Sequence, residues 1–200
     1  MRPLLVLLVL AALARPASAQ GGGVPGGVPG GVQRTLEVVY YDVQGRSEQD
    51  LLQAMLRQGP SWEGHRYFGL TQSEVRYTYW KQESVTGCVL SNIAVYLKIT
   101  VTLPRWQPTP GTPYAMERNW RQFERALRNH EDGHRRLAEE EAEMIRRMLT
   151  GLRAPSCAGV DALAEQQAAQ IQQSYGGLNR AYDERTEHGR SQGALWPLGH

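Results

Sequence analysis

Residues 113–148 read PYAMERNWRQFERALRNHEDGHRRLAEEEAEMIRRM. A stripe recurs along them in alternating steps of four and three: Met116, Trp120, Phe123, Leu127, His130, His134, Leu137, Glu141, Met144 and Met148. That period marks the buried face of one long helix. Pro113 suits its first position, Thr112 the N-cap before it, and Thr150-Gly151 its end. The pattern is long for a globular helix and leaves room for a kink or break. The charges between the stripes, from Arg135 to Arg147, pair at i,i+3 and i,i+4 and read as a solvated face.

Outward from this helix the pattern changes to strands. Ile93, Val95, Leu97, Ile99, Val101 and Leu103 alternate with Ala94, Tyr96, Lys98, Thr100 and Thr102. A period of two with one polar face predicts a half-buried antiparallel strand, ended by Pro104 and the Pro108–Pro113 segment. Glu74–Trp80 alternates more weakly. Leu36–Val43 is rich in β-branched and aromatic residues and reads as a further strand. Ser47 then caps an amphipathic helix over Glu48–Leu56 that Gln58-Gly59-Pro60 ends. Downstream, a second long helical region spans Asp161 to about His188, weakened at Gly176-Gly177 and stopped by Gly189. The tail from Arg190 has no clear pattern. This order predicts an α+β fold, an antiparallel sheet packed against long helices.

The start of the chain reads as an address. Arg2 precedes an apolar run, Leu4–Ala14, and Ala17-Ser18-Ala19 offers a small-x-small cleavage site. Residues 1–19 are therefore expected to be a signal peptide, since eleven helical residues span only about 16 Å. Residues 20–33, rich in Gly, Pro and Val, read as a flexible tether. Residues 34–197 remain as the folded domain. An exported protein in the periplasm or outside the cell is expected, with no stable membrane insertion once the signal is cleaved. The net charge is +2 with acids and bases interleaved, which gives no reason to expect nucleic acid. In an oxidising compartment the two cysteines, Cys88 and Cys157, are expected to pair. The bridge would close a loop of about 70 residues, worth roughly 3–4 kcal/mol.

The chemistry concentrates at His130-Glu131-Asp132-Gly133-His134, an HExxH pentad. On a helix its histidines lie one turn apart on one face and can reach a single ion. Both fall on the buried stripe, where an unpaired polar group is costly. Glu131 is offset by about 100° and flanks that ion. Two imidazoles suit Zn2+ with an open position, and a carboxylate beside the activated water can act as general base. A third ligand must come from elsewhere, because Glu141 lies about 10 Å further along the helix axis than His134. The candidates are His65, His188 and His200. An ordered helix end favours His188.

Tyr182-Asp183-Glu184-Arg185-Thr186-Glu187-His188-Gly189 follows the pentad by about fifty residues. HExxH with a later YDxxTxHG resembles a bacterial domain-of-unknown-function family, number 922, described as predicted secreted zinc-dependent proteases. The likeness runs from about Arg34 to Pro197. The motifs match at His130, Glu131, His134, Tyr182, Asp183, Thr186, His188 and Gly189. It implies a zinc hydrolase and strengthens His188 as the third ligand. Tyr182 is a candidate catalytic donor to an oxyanion, and Asp183 a candidate support for a ligand histidine. The expected function is a metallopeptidase acting on protein or peptide substrates. The alternatives are a zinc hydrolase of cell-wall peptides and a noncatalytic envelope module with structural zinc.

Overall fold

The computed structural model describes residues 31–198. The signal peptide, most of the tether and His200 lie outside these residues. The order is β1 (Val32–Val43), α1 (Glu48–Gln58), a short hairpin of β2 (Ser61–Trp62) and β3 (His65–Arg66), then β4 (Leu70–Ser84) and β5 (Gly87–Trp106). α2 (Tyr114–Leu149), β6 (Arg153–Ala154), α3 (Cys157–Thr186) and a 3₁₀ turn (Arg190–Gln192) complete it. The fold is α+β, a sheet covered by helices.

β5 is the central strand. β4 and β5 form a long antiparallel hairpin, whereas β1 lies on the other flank of β5 and runs parallel to it. The sheet is thus mixed, not purely antiparallel as expected. The reason is the connection: α1, β2–β3 and β4 separate β1 from β5, enough chain for a crossover. The alternation of β5 is as read. Val95, Leu97, Ile99, Val101 and Leu103 are buried, while Lys98 between them is exposed.

α1 starts where the sequence places it. Ser47 accepts from the Asp50 amide, and the Asp50 carboxylate accepts from the Ser47 amide, a reciprocal cap. Thr112 does not cap α2. Its hydroxyl donates to the Thr109 carbonyl, and Pro113 takes the N-cap position with no side-chain cap. α2 runs unbroken for 36 residues. α3 begins at Cys157, four residues before the expected start, because Ser156 caps it. It also continues through Gly176-Gly177. Two glycines cost about 1 kcal/mol each, and both ends of the helix are held. Cys157 is bonded to Cys88, and the last turns pack on α2.

The core lies between β5, α1, α2 and the return of the C-terminal tail. Trp196 packs edge-on to Trp120 and beside Phe123, and its indole N–H donates to the Glu48 carbonyl. The unpatterned tail is therefore an ordered part of the fold.

Candidate metal centre

α2 and α3 lie side by side, and the pentad faces the last turns of α3. Asn179, Tyr182, Asp183 and Thr186 follow one another at steps of three, one and three, which places them on one helix face. The His134 Nε2 is 3.0 Å and the His130 Nε2 is 3.3 Å from the same Asp183 Oδ1. Among the described residues these three side chains form a group whose ligand atoms all lie within 4.8 Å of one another. Asp183, read from sequence as a support, is itself a member. His188 sits just outside: its ring is 62% exposed and its Nδ1 is 3.6 Å from the same oxygen. His65 is exposed on β3.

The far nitrogens of both histidines are held. The His130 Nδ1 lies 3.0 Å from the Gln192 Oε1, and the His134 Nδ1 lies 2.7 Å from the Asn179 Oδ1. The Asn179 amide nitrogen donates to the Tyr175 carbonyl, which fixes its oxygen toward the histidine. An amide oxygen demands a proton on Nδ1, leaving the Nε2 lone pair free in a neutral imidazole. As neutral imidazoles the two therefore present lone pairs beside the Asp183 carboxylate, whereas as imidazolium the same nitrogens donate to it. That donor set fits a cation, and two imidazoles with one carboxylate suit zinc.

Burial pushes the Asp183 carboxyl up, but hydrogen bonds to the two histidines outweigh it and hold it well below the usual carboxylate range. Burial also opposes charge on His134, and its bonds to Asp183 and Asn179 overcome that and raise it.

Glu131 is turned to the other side, toward β4. It is only 4% exposed. The Thr71 hydroxyl lies 2.8 Å from its Oε2 and 3.2 Å from its backbone carbonyl. Burial pushes the Glu131 carboxyl above its usual range, and Thr71 and the histidines only partly offset this. Gly69 makes the space: a Cβ there would stand 2.7 Å from the Glu131 Oε1.

Tyr182 stacks on the His130 ring, centroids 5.1 Å apart and planes 11° apart. Its hydroxyl lies 3.2 Å from the His130 carbonyl and 3.2 Å from the Gln192 amide nitrogen. It is thus engaged in holding His130. Gly133 explains itself here, since a Cβ on it would collide with the Tyr182 hydroxyl. Thr186 donates to the Tyr182 carbonyl and accepts from the Gly189 amide. Glu187, His188 and Gly189 all have positive φ, which turns the chain back so that Gln192 reaches His130. A Cβ at Gly189 would meet the His130 ring at 2.9 Å.

A family of bacterial proteins of unknown function (DUF922) matches residues 38–189, more than half of the chain. The chain belongs to this family. The match spans the pentad and the α3 motif together. No curated protein and no solved structure matches the chain.

Thr71, Asn179 and Gln192 lie outside both sequence motifs. Asn179 was within reach, being one turn before Asp183 on the same face. A glycine inside the pentad also signalled a close neighbour. Thr71 and Gln192 sit on other segments and carry no local signal. Tyr67, whose ring centroid is 6.1 Å from that of His188, is likewise visible only in the fold.

Proposed function

We propose that this member of DUF922 is an exported zinc-dependent peptidase. The observation that carries the reading is the convergence of the His130 and His134 Nε2 atoms on the Asp183 carboxylate, with buried Glu131 one residue after the first histidine. His130, His134 and Asp183 would hold the ion, and His188 borders the group on its exposed side. Bound zinc supplies a Lewis acid and lowers the pKa of its water to about 7.

The protein's own residues supply the rest. Gln192 and Asn179 fix the tautomers of the histidines. Tyr182 holds His130 in plane. Glu131, raised by burial and steadied by Thr71, takes a proton from the attacking water and returns it to the leaving nitrogen. The peptide enters from the exposed side, past Tyr67 and His188. Export is supported by the disulfide between Cys88 and Cys157, which an oxidising compartment favours. No described helix is long and apolar enough to cross a membrane.

The test is hydrolysis of casein by the purified mature domain, with chelator and after zinc is restored. Activity lost with chelator and regained with zinc is the expected result. Cleavage of muropeptides alone would move the protein to cell-wall peptides. Bound zinc without turnover of either substrate would make the site structural.

A further inference from the structure

The second edge of the sheet has a feature that the metal centre does not use. β1 is an edge strand, with no strand on its outer side among the described residues. Edge strands that stay free are usually short or blunted by charge or proline. β1 is 12 residues long, and its middle, Leu36–Tyr40, carries one charge, Glu37. In the parallel ladder Leu36, Val38 and Tyr40 are level with buried Ile99, Val101 and Leu103. They therefore share the face that the helices cover farther in. Yet they are 54%, 42% and 39% exposed, although Arg128 of α2 reaches as far as the Tyr40 hydroxyl.

We propose that β1 pairs with β1 of a second copy, antiparallel, about a twofold axis at Val38. The strand is self-complementary in that register. Val38 meets Val38 of the partner, Leu36 meets Tyr40, and Arg34 meets Asp42. Cross-strand aliphatic–aromatic and opposite-charge pairs are the favourable kinds. Arg34 has no ion-pair partner among the described residues. Asp42 bonds Arg105 of its own sheet but keeps 61% of its side chain exposed. The like-charge diagonal, Glu37 with Glu37, is softened by Lys98 beside each of them, 3.9 Å away. Both helix layers stay on one side, so the exposed apolar row of each copy is covered by the other.

This surface is independent of the metal centre. Arg128 reaches the Tyr40 hydroxyl, whereas Glu131 reaches Thr71 on β4. His130 and His134 lie about 200° and 240° round α2 from Arg128. Dimerisation through β1 therefore does not cover His130 or His134.

Sedimentation velocity of the mature protein across a wide concentration range tests the proposal, beside Val38→Lys, Arg34→Glu and Val38→Cys. The wild type should sediment as a dimer. Val38→Lys should be monomeric and still melt in one cooperative transition, at the temperature of wild type diluted to monomer, and Arg34→Glu should dissociate at lower dilution than wild type. Val38→Cys should form an interchain disulfide on mild oxidation, since the residue faces its own copy. Gln33→Cys should not, because its copies would be about 33 Å apart. A monomer at every concentration, or a dimer unaffected by Val38→Lys, overturns the proposal.

Discussion

Asp183 and His188 are both in the YDxxTxHG motif, and sequence spacing cannot say which of them points at the histidines. The backbone decides it. Asp183 is still helical and faces α2, whereas His188 follows the helix end at positive φ and swings outward. Asp183→Ala should therefore weaken zinc binding more than His188→Ala. Asn179→Ala should weaken it by about 10–100-fold, as expected for losing an outer partner of a ligand. Competition titration against a chromophoric chelator reads all three. If His188→Ala proves the most damaging, the ligand set inferred from Asp183 is wrong. Gly69→Ala is a sharper probe of Glu131. The added Cβ would press on its carboxylate and on Leu127. Turnover should fall at least tenfold, while zinc affinity stays near that of wild type. Equal loss of both would place Gly69 in the general packing instead.

The elements show where periodicity works and where it drifts. The first half of the α2 stripe, Met116 to His130, is buried as read. Beyond His134 the buried residues are Ala138, Ala142, Ile145 and Leu149, each one position later than the expected Leu137, Glu141, Met144 and Met148. Steps of four and three follow a period of 3.5, and a straight helix has 3.6. The error is about 20° per heptad, nearly one residue by the end of α2. Glu141 therefore lies at the margin of the packed face, and burial pushes its carboxyl up to about 7. A carboxyl raised in the folded state stabilises the fold fully below its unfolded value of 4.5. That contribution is lost as the pH rises through about 7. Glu141→Gln stays neutral. At pH 8 it should be more stable than wild type by on the order of 1–2 kcal/mol, allowing for partial exposure. At pH 4 the two should match. Thermal melts across this range check it, and an equal gain at both pH values would contradict burial as the cause.

For the molecule as a whole, the sequence made the fold class and the pairing of the two cysteines legible, but not the direction of β1. Alternation reports which face of a strand is buried. It carries no information on which neighbour the strand joins, and the parallel pairing of β1 with β5 arises from the crossover between them. The C-terminal tail was illegible for a related reason. Its order comes from long-range contacts of Trp196 and Gln192, not from any local period. The disulfide ties the start of α3 to the start of β5 across 69 positions. It restricts the unfolded chain by about 4 kcal/mol in the loop model. Reduction should lower the denaturation midpoint in urea by a corresponding amount, with zinc retained by the native protein. A midpoint unchanged by reduction would show that the bridge adds no stability.

Whether the pentad builds a working catalyst or only a metal clip is decided by Glu131→Gln. The substitution keeps the shape and the acceptor for Thr71 but removes the proton acceptor. Zinc content and melting should match wild type, while casein hydrolysis should fall by roughly 10²–10⁴-fold. Zinc-bound wild type and Glu131→Gln proteins that hydrolyse casein at the same rate would contradict Glu131 as the base.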